Sequence, residues 1–348
     1  MKKLKLSVIL LLVLVLCTDC KSNKIVPELP PPTPPAVINP GDDDDDDNPG
    51  ESGGETETET GPWDANRGKV VTPTGSGWSS STVVEGIKYW TFSGTEPVSS
   101  AKQKVFVIDW DTNVEGYRLG LQYTSGGIIN SDVFKAQNAI ASLNGGYEQA
   151  SIVIKIAGKL YSAMPNNNIG TTDVPNWKND GAVYWDSEGV RIRHDGKGKT
   201  IAQQRNFFVS SKEANILTSA PMLVSDYKPV GETFVNYTGN LNNLNYENPN
   251  RHQGVRHPRT AIATTENGHV LLFAIDGRRT SSAGMTAKEL TQFLVNNFNV
   301  QYALNLDGGG STTMCVQGRG DSETHVVNSP TDEEGERTVT THFYIVEN

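Results

Sequence analysis

The sequence predicts an α+β fold: a β-rich domain on a mixed sheet, with few helices and long polar loops around its working end. Three observations predict it. Short runs rich in Val, Ile, Tyr, Phe and Thr recur between Gly- and Asn-containing turns, the pattern of half-buried strands. Helical periodicity is confined to a few short stretches. Two long polar stretches, residues 165–180 and 235–258, carry too few apolar residues for a packed element, and ordered loops of that length commonly serve binding.

Taken in order, "KVFVIDWD" (104–111) and "YRLGLQYT" (117–124) are β-forming runs joined by a short polar turn and read as a β-hairpin. "SDVFKAQNAIASLNGGY" (131–147) opens on a capping Ser131, forms a helix, then a strand that ends in NGGY. "SIVIKIAGKLYSAM" (151–164) reads as two strands around Gly158, and "GAVYWDSEGVRIRHDG" (181–196) as a further hairpin. "RTAIATTENGHVLLFAIDGR" (259–278) is strand, Glu-Asn-Gly turn, strand. "TAKELTQFLVNNF" (286–298) is a helix: Thr286 and Glu289 form a capping box, and Leu290, Phe293, Leu294 and Phe298 mark one apolar face. "QYALNL" (301–306), "TMCVQG" (313–318) and "THFYIVEN" (341–348) complete the strands.

Three segments differ in composition. Residues 1–20 begin with lysines and continue in an apolar run from Leu6 to Leu16, too short to span a membrane and suited to a secretory signal. Cys17 and Cys20 follow, as in a bacterial lipoprotein whose thiol is lipidated, although Leu16 and Asp19, not small residues, precede them. A lipid anchor at Cys20 or Cys17 is the leading expectation, ahead of plain secretion and of a retained anchor helix. It places the protein in the bacterial cell envelope, outside the cytoplasm. Residues 21–61 are proline-rich, then acidic, with almost nothing apolar to bury, and read as a disordered tether. Of the chain's net charge of −10, −9 falls on 21–61 and +2 on 1–20, leaving −3 on residues 62–348, the folded domain. No basic excess favours nucleic acid. Cys315 has no partner once the signal cysteines are lipidated or removed, so no disulfide framework is expected, and Cys315 reads as buried packing.

The densest stretch is "NLDGGGSTTM" (305–314). Three adjacent glycines cost conformational entropy, so an ordered segment needs a reason for them. GGGST is not a P-loop, because no Lys precedes the hydroxyl. "DWDTNVEG" (109–116) fails as an EF-hand loop at Val114 and Gly120. Neither zinc-ligand spacing nor a G-x-S-x-G elbow occurs.

"NGGY", "PRTAI", "IDGRR", "SAGMTAKEL", "NLDGGGSTTM" and "GERTVTTHF", in this order over residues 144–343, resemble the phosphodiester glycosidase family. One departure is visible: the family usually has two aromatics after the paired glycines, whereas Glu148 follows Tyr147 here. The resemblance implies hydrolysis of a sugar joined through its anomeric carbon to a phosphodiester, such as an α-linked GlcNAc-1-phosphodiester. A non-catalytic glycan-binding lipoprotein with the same pocket is the alternative.

Such a substrate sets clear demands. Its phosphate needs Arg forks or convergent N–H groups, and its anomeric carbon needs a carboxylate. The leaving phosphate is a weak base, so a general acid matters less. Asp307 and Asp276, each at a strand end before glycine, are the expected catalytic carboxylates. Arg259 belongs with them as a phosphate holder, joined by Arg278 and Arg337. Gly308, Gly309 and Gly310 offer bare backbone, with Ser311 and Thr312 as hydrogen-bonding hydroxyls, while Asn144, Gly145, Gly146 and Tyr147 form the opposite wall. His252 and His257 read equally as site or as solvated loop. No cofactor is expected to be required; a divalent ion between Asp307 and Asp276 is compatible with the sequence, though no spacing demands it.

Overall fold

The computed structural model describes residues 61–165 and 177–348. The signal, both candidate lipidation cysteines, all but the last residue of the tether, and most of the 165–180 loop lie outside them. Thr58–Asn348 forms a compact unit.

Strands β1 (Trp78–Val84), β2 (Ile87–Glu96), β3 (Ala101–Asp111) and β4 (Tyr117–Ile128) lead into helix α1 (Asn130–Ala136) and β5 (Ala141–Asn144). Next come β6 (Val153–Ile156), β7 (Lys159–Ala163), β8 (Gly181–Asp186), β9 (Gly189–Arg193), helix α2 (Ile201–Ser210), β10 (Ile216–Ser219) and β11 (Met222–Val224). The last third holds α3 (Pro249–Gly254), β12 (Arg259–Thr264), β13 (His269–Ile275), α4 (Ala287–Phe298), β14 (Tyr302–Asn305), β15 (Met314–Val316) and β16 (Val339–Glu347).

The strands form three sheets, in the orders β1-β2-β3-β13-β12-β14-β11, β7-β6-β10-β8-β9 and β15-β5-β16-β4. The fold is the sheet-rich α+β class, but the sheets are not mixed: every strand pair among the described residues is antiparallel. The expected hairpin of 104–124 is also revised. β3 pairs with β2 and β13, whereas β4 leaves for another sheet and pairs with β16. A short turn joins two strands in sequence without obliging them to pair. Ser131 is not a cap either: α1 starts at Asn130, and the Ser131 N–H donates to the Glu336 carboxylate.

Period-two alternation builds the core. On β13, Val270, Leu272 and Ala274 face a large cluster shared with the two smaller sheets, where Leu143, Ile152, Leu217 and Phe343 pack. Leu271, Phe273 and Ile275 face the opposite way, against Leu290, Phe293, Leu294 and Phe298 of α4. The predicted capping box of α4 is present: Thr286 Oγ1 accepts from Glu289 N, and the Glu289 carboxylate accepts from Thr286 N. Both faces of β12 are buried, which leaves its end residues as the route to the surface.

Candidate active site

Three strand ends of the seven-stranded sheet meet at one edge. Arg259 opens β12, opposite Ile275 at the end of β13, while Ala261 pairs with Asn305 at the end of β14. The chain therefore delivers Arg259, Arg278 and Asp307 to one place. They line a cleft of about 120 Å³ with Glu148, Tyr246, Glu247, His252, His257, Arg337 and Gly308 to Gly310. That volume matches about four waters, enough for a scissile group rather than a whole ligand.

Asp307 is half-buried in the cleft. Its backbone is fixed from behind: its N–H donates to Gly145 O (3.1 Å), and its carbonyl accepts from Asn144 Nδ2 (2.7 Å). Asn144 Oδ1 in turn accepts from Thr260 Oγ1 and from the Thr313 N–H. Burial raises the Asp307 carboxyl to about 6, against a hydrogen bond with Ser311, and the charge of Glu148 adds to the rise. The carboxyl thus titrates near neutrality, as a catalytic acid–base group requires.

The glycines serve close approach. A side chain at Gly308 would strike Pro258 O (2.6 Å), and one at Gly310 would overlap the Asp332–Arg337 pair. Gly309 takes φ +63°. The Gly309 N–H donates to Pro258 O (2.9 Å), so it is not available to an anion. Among the described residues, the Gly308 and Gly310 N–H groups have no protein acceptor.

The three arginines differ. Arg259 is 1% exposed, and its guanidinium donates to Met285 O (2.7 Å), Gln253 Oε1 (2.8 Å) and Val255 O (2.9 Å), none of them a carboxylate. Burial pulls its pKa down to about 10, so it stays a cation at neutral pH and lends the cleft positive potential from behind. Arg278, held at φ +56°, is exposed and meets His257 Nδ1 at 3.0 Å. Among the described residues no carboxylate pairs with it. Arg337 makes a bidentate pair with Asp332 (2.7 and 2.9 Å) while lining the cleft. His252 and His257 are kept neutral, at about 2 and about 3, by burial first and then by the Arg259 charge.

On the other side, Lys178 is buried between Glu148 (2.8 Å) and Glu247 (2.9 Å), over the rings of Tyr147 and Trp177. The Glu148 side chain is 68% exposed, so what burial it has raises its carboxyl little, and the charge and hydrogen bond of Lys178 hold it below its ordinary value. Two carboxyls in one cleft are thereby driven in opposite directions, which is how acid and base roles separate.

Several expected site residues stand elsewhere. Asp276 is 1% exposed and does not line the cleft; its Oδ1 accepts from Ser329 N (2.8 Å) and Asn328 Nδ2 (3.4 Å), which ties the 328–329 segment to the end of β13. The cleft that holds Asp307 does not take in Asp276, so it does not set the two carboxylates to hold a divalent ion together. Among the described residues no cluster of three metal-ligating side chains occurs. Asn144 and Gly145 back the site rather than face it. Gly146 packs against Ile152, and Thr312 hydrogen-bonds Thr260 inside the protein. Tyr147 is buried, its hydroxyl joined to Ala220 O, Gln253 and Asn305, so it is a strut and not a wall. Sequence reasoning missed Tyr246, Glu247, Lys178 and the role of Glu148. The one signal was Glu148 in a place where an aromatic was expected. Tyr246, 46% exposed beside His252 and His257, is the aromatic at the mouth.

A family model described as phosphodiester glycosidase matches residues 127–346. The SPbeta prophage-derived protein YomE of Bacillus subtilis (strain 168) is 23% identical over 244 residues, covering 67% of this chain and 33% of YomE. The N-acetylglucosamine-1-phosphodiester alpha-N-acetylglucosaminidase of Bos taurus is 38% identical over 69 residues, 20% of this chain and 13% of that one. The matches thus span a third or less of these curated relatives' length. Among solved structures, the zebrafish N-acetylglucosamine-1-phosphodiester alpha-N-acetylglucosaminidase catalytic domain, auto-inhibited by its pro-peptide, has the same fold at a TM-score of 0.51 and 18% identity, over 80% of this chain and 87% of that one. A Synechocystis protein aligns at a TM-score of 0.50 and 14% identity, over 78% of this chain and 64% of that one.

Proposed function

Because the chain belongs to the phosphodiester glycosidase family, we propose that it hydrolyses the anomeric C–O bond of an α-linked sugar-1-phosphodiester of the GlcNAc-1-phosphodiester kind. The observation that carries this is the meeting, in one small cleft, of Asp307 with Arg278, a cation without a carboxylate partner among the described residues. A phosphodiester carries one negative charge and supplies what Arg278 lacks.

Arg278 and Arg337 hold the phosphate, with the free N–H groups of Gly308 and Gly310 beside them and the Arg259 charge behind. Asp307, ionised, acts at the anomeric carbon as nucleophile or as base for water. Glu148 takes the place expected of Asp276: kept ionised by Lys178, it faces the positive charge that develops on the sugar. Tyr246 offers its ring to the sugar at the mouth. The leaving phosphate needs little protonation, which suits a cleft whose histidines are both neutral. Export and an envelope anchor at Cys20 or Cys17 belong to the same proposal and rest on the sequence of residues 1–61 alone.

Hydrolysis of a GlcNAc-1-phospho-6-sugar in oxygen-18 water tests the reaction. Label in the free sugar is the expected result. Label in phosphate means P–O cleavage and overturns the proposal, as does tight binding without product, which would mark a glycan-binding module.

A further inference from the structure

A second cavity lies away from the chemistry. It measures about 600 Å³, within the usual range for small-molecule sites. Its walls come from the end of β3, the start of β4, the β8–β9 hairpin and the end of β16. Trp110 of this cavity pairs with Val270 at the start of β13, whereas Arg278 follows the end of β13. The strand between them places the two sites about 20 Å apart.

Four aromatic residues line the cavity: Trp110, Trp185, Tyr117 and Tyr344. Tyr344 stands opposite Gly120 across the β4–β16 pair, and its ring fills the space that a Gly120 side chain would take. The chain thus spends a glycine inside a strand to lay an aromatic ring along the wall. Trp110 is 5% exposed, and its indole N–H has no acceptor among the described residues. At the rim, the exposed side chains of Arg118 and Glu188 have neither ion pair nor hydrogen bond among the described residues. Its charged groups, Arg118, Asp186 and Glu188, stand exposed, and none is buried as Arg259 is or half-buried as Asp307 is, so the cavity is suited to binding rather than catalysis.

We propose that this cavity is a second binding site, for a neutral saccharide, independent of the reaction assigned to the Asp307 cleft. A sugar ring presents C–H faces to aromatic walls and hydroxyls that both donate and accept. It can stack on these rings, accept from Arg118 and donate to Glu188. An apolar guest would leave the Arg118 and Glu188 side chains without the hydrogen bonds that water gives them. An anion would meet Glu188 and Asp186, the latter already committed to Arg191.

Calorimetric titration of the full chain with maltotriose, cellotriose and tri-N-acetylchitotriose tests the site. We expect one equivalent of at least one of them to bind. Affinity should fall about tenfold in Glu188→Ala and in Arg118→Ala, the size of one charged hydrogen bond. Asp307→Asn should leave binding unchanged. The rim variants replace exposed side chains, so folding is preserved. Absence of binding by all three at millimolar concentration overturns the proposal. So does binding that survives both rim substitutions, or binding lost in Asp307→Asn, which would assign the sugar to the catalytic cleft.

Discussion

Asp307 is held in a form the fold disfavours. Its carboxyl sits at about 6 against an ordinary 3.8, chiefly because burial penalises the charge. Protonation is therefore favoured by folding. The stabilising contribution is complete below about pH 3.8 and is lost as pH rises through about 6. Asp307→Asn should lower kcat by about 10²–10⁴-fold. It should also raise stability at pH 8 by up to about 3 kcal/mol, a gain that shrinks toward pH 4. Kinetics and thermal melts at both pH values check this, and wild-type-like turnover removes Asp307 from the mechanism. The same titration predicts that kcat/KM falls as pH drops through about 6, because the ionised form is the active one. A pH–rate profile flat from 5 to 8 contradicts it. Arg278→Ala should raise KM about tenfold or more, the size of a charged hydrogen bond to phosphate, and Lys should rescue it only partly because it lacks the fork. Full rescue by Lys would reduce Arg278 to a point charge. The sequence singled out Asp307, its glycines and the three arginines, which line one cleft, because they stand beside strand ends, where pattern and chemistry coincide. It misplaced Asp276, since an Asp-Gly after a strand looks the same whether the carboxylate enters a cleft or ties down a neighbouring loop. Tyr246, Glu247 and Lys178 were hidden because loop paths, not local pattern, bring them together.

Helix α4 shows how an element outside the cleft shapes it. The carbonyl of Met285, one residue before its N-cap, receives Arg259 Nε, and Glu289 in its first turn binds Arg256 beside His257. Glu289 therefore serves two tasks, cap and anchor. Thr286→Ala should cost about 1 kcal/mol of stability through the lost cap and leave kcat/KM close to wild type. Glu289→Ala should cost at least as much and also lower kcat/KM, because Arg256 loses its partner next to the cleft. Denaturant melts and kinetics on the pair separate the tasks; equal kcat/KM in both variants would remove Glu289 from positioning. This helix was legible in the sequence because Thr286, Glu289 and the stripe from Leu290 to Phe298 agree at every level. Others were not. β1 is an edge strand with an exposed run of Ser and Thr, and α2 buries only Gln204 and Phe208 of its ten residues, so neither writes a clear period. The pairing of β4 with β16 joins residues more than two hundred positions apart, which no local pattern records.

At the scale of the whole molecule, charge and fold are divided along the chain. Residues 21–61 carry −9, while residues 62–348 carry −3. Both large core clusters and every residue of the cleft fall within the compact unit Thr58–Asn348. The acidic segment has almost nothing apolar to bury, so a chain beginning at Thr58 should melt cooperatively at the full chain's Tm with the same kcat. Under the proposed reaction, its expected effect on an anionic substrate is electrostatic and long-range. A dense negative segment tethered to the domain lowers the local concentration of an anionic phosphodiester, and ions screen that repulsion over about 8 Å at physiological strength but about 30 Å at 0.01 M. The shortened chain should therefore show a lower KM than the full chain at 0.01 M salt and the same KM at 0.15 M. Kinetics of both chains across that range decide the matter. Loss of cooperative melting or of kcat in the shortened chain would mean that the N-terminal residues complete the fold, and a salt-independent KM difference would mean that they touch the substrate.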